Sequence, residues 1–139
     1  MSPDEFPAVF AEGWALPKPQ LFLEYFLPLL APDATFIQPG YPDAQGLAEV
    51  ERLFRRLFVL IPDLVARPHR SAINDETVFI ESACEGTLGR KPIHFSVCDR
   101  FVIRDGKIIE RQSYTDPIVL IRAVASRPSS WLHAVRARR

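Results

Sequence analysis

Apolar positions recur every three to four residues in three early segments and every second residue later, so the chain changes from helical to strand periodicity near its middle. Ser2-Pro3-Asp4-Glu5 combines a capping hydroxyl, an early Pro and acids suited to a helix start, and Phe6, Val9, Phe10 and Trp14 then share one face until Pro17 and Pro19. From about Pro19 a second helix is predicted, with Leu21, Phe22, Tyr25, Phe26, Leu29 and Leu30 as its apolar surface, Pro28 in its last turn and Pro32 as its end. Residues 34–38 form a short β-rich run closed by Pro39-Gly40, which predicts an edge strand. The third helix begins at Gly46: Leu47, Val50, Leu53, Phe54, Leu57, Phe58 and Ile61 make a stripe flanked by Glu49, Glu51, Arg52, Arg55 and Arg56, and Pro62-Asp63 stops it.

Beyond that point the period is two. Residues 64–73 predict a strand whose Pro68 marks an edge or a bulge, and 77–88 a long strand after the turn Asn74-Asp75-Glu76. Gly89-Arg90 turns the chain into a run from Ile93 that bends at Asp105-Gly106 and continues to Pro117. The following IVLIRAV either extends the strand or begins a helix, and Trp131, Leu132 and Val135 predict a short amphipathic C-terminal helix. The expectation is one α+β domain over residues 1–139: helices gathered on one side of a curved antiparallel sheet, with a ligand held on the inner side.

Register turns this outline into chemistry. A two-residue turn at Asp105-Gly106 sets Ile103 opposite Ile108, Phe101 opposite Glu110, Asp99 opposite Gln112, Val97 opposite Tyr114 and Phe95 opposite Asp116, all on one mostly apolar face. His94, Ser96, Cys98, Arg100, Arg111, Ser113 and Thr115 fall on the other face. Asp99 and Asp116 are thereby expected to point inward, where a carboxylate is costly unless it has partners or serves a pocket. The structural alternatives are an Arg partner for Asp99 and a helix cap from Asp116 ahead of Pro117. A tight turn at Gly89-Arg90 would add Cys84 opposite Phe95, Ser82 opposite Val97 and Ile80 opposite Asp99, sending Glu81 and Glu85 outward; one extra loop residue would reverse that.

Composition narrows the function. Lys plus Arg equals Asp plus Glu at 17 each, so no overall field draws the protein to nucleic acid or an acidic membrane, although Arg is concentrated after Asp116. Cys84 and Cys98 lack metal-ligand spacing and are not opposite each other, which predicts free thiols in a reducing compartment. The N-terminus has no signal-peptide pattern, and the apolar run at 22–31 is interrupted by Glu24 and Pro28, so a cytoplasmic protein is expected. His94, a candidate general base by type, falls on the outer face. His69 and His133 have no companions at ligand spacing, and the glycines form neither a phosphate loop nor a dinucleotide fingerprint; no metal and no cofactor is expected.

The element order, with APDATFIQP, IPDL, EGTLG and DRFVIRDGKIIERQSYTDP, resembles the SnoaL-like group of the nuclear transport factor 2-like superfamily. The resemblance covers most of the chain. It implies a cone-shaped barrel of curved sheet around a pocket mouthed by three N-terminal helices, a homodimer, and a fold shared by polyketide cyclases, ketosteroid isomerases, limonene epoxide hydrolases and proteins that only bind. By that resemblance Gln38 stands where ketosteroid isomerases carry their base, Asp99 matches their oxyanion-stabilising acid, and Asp116 matches the acid or base of cyclases and epoxide hydrolases. Leu88 follows Gly86-Thr87 where SnoaL-like cyclases often have His, and residues 77–88 offer only Glu81 and Glu85 in place of the Arg and second Asp of the epoxide hydrolases. The expected activity is cofactor-free acid–base chemistry on a small hydrophobic or partly polar molecule. Asp116 would transfer the proton, Asp99 would donate as a protonated acid, and Tyr114, Tyr25, Gln38 and Gln112 would orient a substrate walled by Trp14, Phe58 and Phe95. The alternative is a binding or dimerisation module with the same pocket and no turnover.

Overall fold

The computed structural model describes residues 1–125 and 135–137. Its elements are helices α1 (Phe6–Trp14) and α2 (Gln20–Phe26), a 3-10 turn (Leu27–Leu29), strands β1 (Leu30–Ile37) and β2 (Ala44–Gln45), helix α3 (Leu47–Leu60), strands β3 (Val65–Asn74), β4 (Thr77–Leu88), β5 (Lys91–Arg104) and β6 (Lys107–Thr115), and helix α4 (Pro117–Ala125). The N-terminal capping signal is used: the Ser2 amide donates to Glu5 Oε2 (2.7 Å) and the Glu5 amide to Ser2 Oγ (3.3 Å).

The six strands lie in the order β2-β1-β6-β5-β4-β3 and form a curved sheet that stays open. It is not purely antiparallel, because β1 runs parallel to β6. The second helix is shorter than its apolar run, since the chain is extended from Leu30 and Pro32 lies inside β1. Nor is β1 an edge: two residues of β2 pair beyond it, and the edge Pro68 foretold is β3, with a register shift between Pro68 and Arg70. The segment after Pro117 is helical. Trp131 and Leu132 lie outside the described residues; Val135 is exposed. Among the described residues no helix is long and apolar enough to cross a membrane.

The concave face of the sheet is filled by rings from the helices. Phe6 and Phe10 meet Phe101 edge-on at 4.7 and 5.6 Å, and Phe22 sits among Trp14, Phe54 and Phe58 at 4.8–5.2 Å. Two of the sequence motifs meet here as a structural staple. Asp63 accepts from both the amide and the hydroxyl of Thr87 (2.7 Å each), and a Cβ on Gly86 would lie 2.4 Å from Ile61 Cγ2, so only Gly lets the chain after α3 close onto β4.

The β4–β5 register is the expected one, with Cys84 opposite Phe95, Ser82 opposite Val97 and Ile80 opposite Asp99. The β5–β6 register is not. The turn forms as predicted, with φ of 51° at Asp105 and 77° at Gly106, and Ile103 pairs with Ile108, but the next pair is Val102 with Glu110. Ile109 is therefore an extra residue, a bulge, and every β6 side chain beyond it changes face. Asp99 now faces Ser113, Phe101 faces Arg111 and Val97 faces Thr115. The bulged register is the cheaper one electrostatically, because it buries a cation beside Asp99, where the unbulged register would turn three carboxylates, Asp99, Glu110 and Asp116, inward with none.

Candidate functional site

A cavity of about 380 Å³ opens on the concave face, within the size range of small-molecule sites. Its wall is apolar where Trp14, Leu57, Leu60, Leu64 and Val97 contribute, with Gln38 to Tyr41 along one side and Ile121 and Ala125 of α4 at another. A second void of about 30 Å³ lies among Phe10, Phe22, Phe26, Phe54 and Phe101, and both spaces are bordered by Trp14, Asp99 and Arg111.

Those last two residues are the chemical centre. Asp99 and Arg111 are 5% and 6% exposed, and Arg111 Nη2 is 3.3 Å from Asp99 Oδ1. Arg111 Nη1 donates to Gln38 Oε1 (2.9 Å), and the guanidinium lies 5.4 Å from the Phe36 ring and 5.6 Å from that of Phe54. Arg111 is thus held on four sides, whereas Asp99 Oδ1 has the ion-pair contact with Arg111 but receives no well-formed hydrogen bond among the described residues. A carboxylate held in place by a neighbouring charge and short of hydrogen bonds is suited to accept a proton from a bound molecule, with a guanidinium beside it to stabilise negative charge on that molecule.

Hydroxyls complete the floor. Ser113 and Thr115, turned inward by the bulge, lie 3.2 Å apart, and Ser82 on β4 is 1% exposed with no hydrogen-bond partner for its Oγ among the described residues. Cys84 also faces the cavity; burial first, and the nearby Asp99 second, push its thiol up to about 12, so it stays protonated at neutral pH. Both cysteines are free, Cys84 buried and Cys98 half-buried on the other face.

The structure brings Asp99, Gln38, Trp14 and Phe95 together around the cavity. It separates the others. Asp116 is exposed and its Oδ1 accepts from the Ile118 amide (2.9 Å), which is the helix-cap arrangement. Tyr114 is 48% exposed on the outer face, and Gln112 there accepts from Arg100 Nη2 (3.2 Å); the bulge accounts for both. Tyr25 gives its hydroxyl to Glu12 (2.9 Å) away from the cavity, and Phe58 is core behind Phe22 and Trp14. His94 lies outside, 3.6 Å from Glu85, which also pairs with Arg67. The tight-turn count puts Arg111, Ser113 and Thr115 on the outer face, whereas the bulge turns them inward. The signal that finds them is charge: an inward Asp99 demands a cation, and only a one-residue shift in β6 brings one alongside.

Comparison with known proteins fits this geometry. Residues 3–111 match the SnoaL-like domain family. A candidate SnoaL-like polyketide cyclase from Jannaschia sp. CCS1 superposes with a TM-score of 0.78 at 16% identity, covering 90% of this chain and 92% of that one. Wild-type IdmH, a candidate polyketide cyclase from Streptomyces antibioticus, gives 0.72 at 18% identity over 90% and 99%. An LEH-like epoxide hydrolase from M. tuberculosis gives 0.69 at 20% identity over 94% and 96%. No curated protein sequence matches the chain. With the family match spanning most of the chain and the open curved sheet arranged as in these structures, the protein belongs to the SnoaL-like domain family of the nuclear transport factor 2-like fold.

Proposed function

We propose that the protein is an enzyme performing cofactor-free acid–base chemistry on a small, largely apolar molecule bound in the concave cavity, with Asp99 as the proton-transferring group. The observation that carries this is the buried Asp99–Arg111 pair bordering the cavity with one carboxylate oxygen short of a donor. In the reaction this supports, the Asp99 carboxylate takes a proton from a carbon next to a carbonyl. The C–H electron pair moves into a carbon–carbon double bond, and the carbonyl π electrons move to oxygen, where Arg111, Ser113 and Thr115 stabilise the charge. Returning the proton to a different carbon isomerises the molecule; attack of the new carbon nucleophile on a second carbonyl closes a ring, that carbonyl's π pair moving to its oxygen, which takes the proton back from Asp99. Both outcomes share the first step, and both are activities found among proteins of this fold.

Asp116 takes no part in this scheme, because its carboxylate caps α4 in solvent. Gln38 keeps a role, as the acceptor that fixes Arg111. The test is solvent exchange: 2-tetralone and a panel of other enolisable cyclic ketones, incubated with the protein in D2O, should lose α-proton NMR signal faster than in buffer. No acceleration with any ketone, in the presence of demonstrated binding, would leave a ligand-binding module and remove the enzyme reading.

A further inference from the structure

Ser82 has no part in the chemistry above, yet it is the most enclosed polar residue of the cavity wall. Its residue exposure is 1%, its Oγ has no hydrogen-bond partner among the described residues, and it lies on β4 one diagonal step from Asp99, since Ile80 pairs with Asp99 and Ser82 with Val97. Diagonal neighbours on one sheet face are within about 7–8 Å, close enough for both side chains to reach one small group. An orphaned buried hydroxyl is destabilising and Ala at this position would avoid that cost, so Ser82 is placed to satisfy something that enters the cavity.

The kind of molecule follows from the charges. On the cavity wall Asp99 and Arg111 compensate each other, and the Cys84 thiol carries no charge at neutral pH. An anionic ligand would meet Asp99, and a cationic one would meet Arg111, each at close range in a low-dielectric space. A neutral ligand meets neither penalty. Asp99 Oδ1 asks for a donor, and Ser82 can give to or take from the same group.

We propose that Ser82 is a ligand-positioning residue, and that the cavity selects a neutral molecule presenting a hydroxyl, which donates to Asp99 and accepts from Ser82. This deepens the reading of the same cavity as the acid–base site and rests on it.

The experiment is a fluorescence titration of the full chain with 2-naphthol, 2-naphthoate and 2-(aminomethyl)naphthalene, alongside Ser82→Ala and Ser82→Cys variants. The expected result is that 2-naphthol binds at least about tenfold more tightly than either charged analogue, and that Ser82→Ala weakens 2-naphthol by about three- to tenfold, the worth of one hydrogen bond. Ser82→Ala should meanwhile keep or raise the thermal midpoint, a combination that a purely structural serine would not give. Ser82→Cys should fall with Ala, because a thiol is a weak donor. Equal affinity of wild type and Ser82→Ala overturns the role of Ser82; preference for a charged analogue, or no binding of 2-naphthol, overturns the ligand class. Neither outcome bears on ketone exchange, which reads the acid–base proposal separately.

Discussion

Arg111 is what makes a buried Asp99 tolerable, so the first predictions concern this pair. Replacing one partner of a buried ion pair strands the other charge, and Arg111→Met is expected to cost roughly 3–5 kcal/mol in urea unfolding. The double variant Asp99→Asn/Arg111→Met should recover part of that loss, as a cycle with a favourable coupling energy. Asp63 offers a pH test with a definite sign. Partial burial pushes its carboxyl upward, but the hydrogen bonds from the Thr87 hydroxyl and backbone amide outweigh this and hold it below its ordinary value. A depressed folded-state pKa contributes stability that is present above the unfolded value, about 4, and is lost as pH falls through the folded one. The stability gap between wild type and Asp63→Asn should therefore be largest at neutral pH and shrink as pH is lowered from about 4 towards 2. A gap independent of pH would show that the hydrogen bonds, and not the charge, are what matters.

At the scale of elements, the bulge at Ile109 decides which face of β6 meets the cavity. Deleting Ile109 removes the bulge and leaves the later pairs in place, with Glu110 still opposite Val102 and Arg111 still opposite Phe101. The deletion variant should therefore keep Arg111 beside Asp99 and unfold cooperatively in urea. A drop in stability of about 3 kcal/mol or more, the cost of a stranded buried charge, would contradict this register. Gly86→Ala, which puts a methyl against Ile61, should destabilise by roughly 1–3 kcal/mol, the usual range for overpacking. These two sites also show what the chain discloses unaided. Helix α3, strand β4, the two positive-φ residues of the Asp105-Gly106 turn and the β4–β5 register all follow from local pattern, because periodicity and turn chemistry are local properties. The bulge is not local. Ile109 is an unremarkable strand residue, and its extra place is favoured by the distant requirement of Asp99 for Arg111 and of Phe101 for the rings of α1. The same limit hid the parallel pairing of β1 with β6, which joins segments far apart in sequence.

For the molecule as a whole, one side of the sheet holds the cavity and the other presents Phe79 and Tyr114, at 38% and 48% exposure, among the ion pairs Arg67–Glu85, His69–Glu81 and Arg100–Glu110. That outer face, apolar side chains interspersed with both signs of charge, is the surface through which a homodimer is expected to form. Sedimentation at high protein concentration should show a dimer that weakens on Tyr114→Glu; a monomer throughout would remove the dimer. The cavity side carries the central claim, that Asp99 beside Arg111 moves the proton while Asp116 serves only the helix. The most direct measurement is α-proton exchange of one accelerated ketone in D2O, followed by NMR for wild type, Asp99→Asn and Asp116→Asn side by side. Asp99→Asn is expected to lose at least about a hundredfold, the scale of a general base, with Asp116→Asn within about twofold of wild type. Exchange that survives in Asp99→Asn, or that collapses in Asp116→Asn, would contradict it.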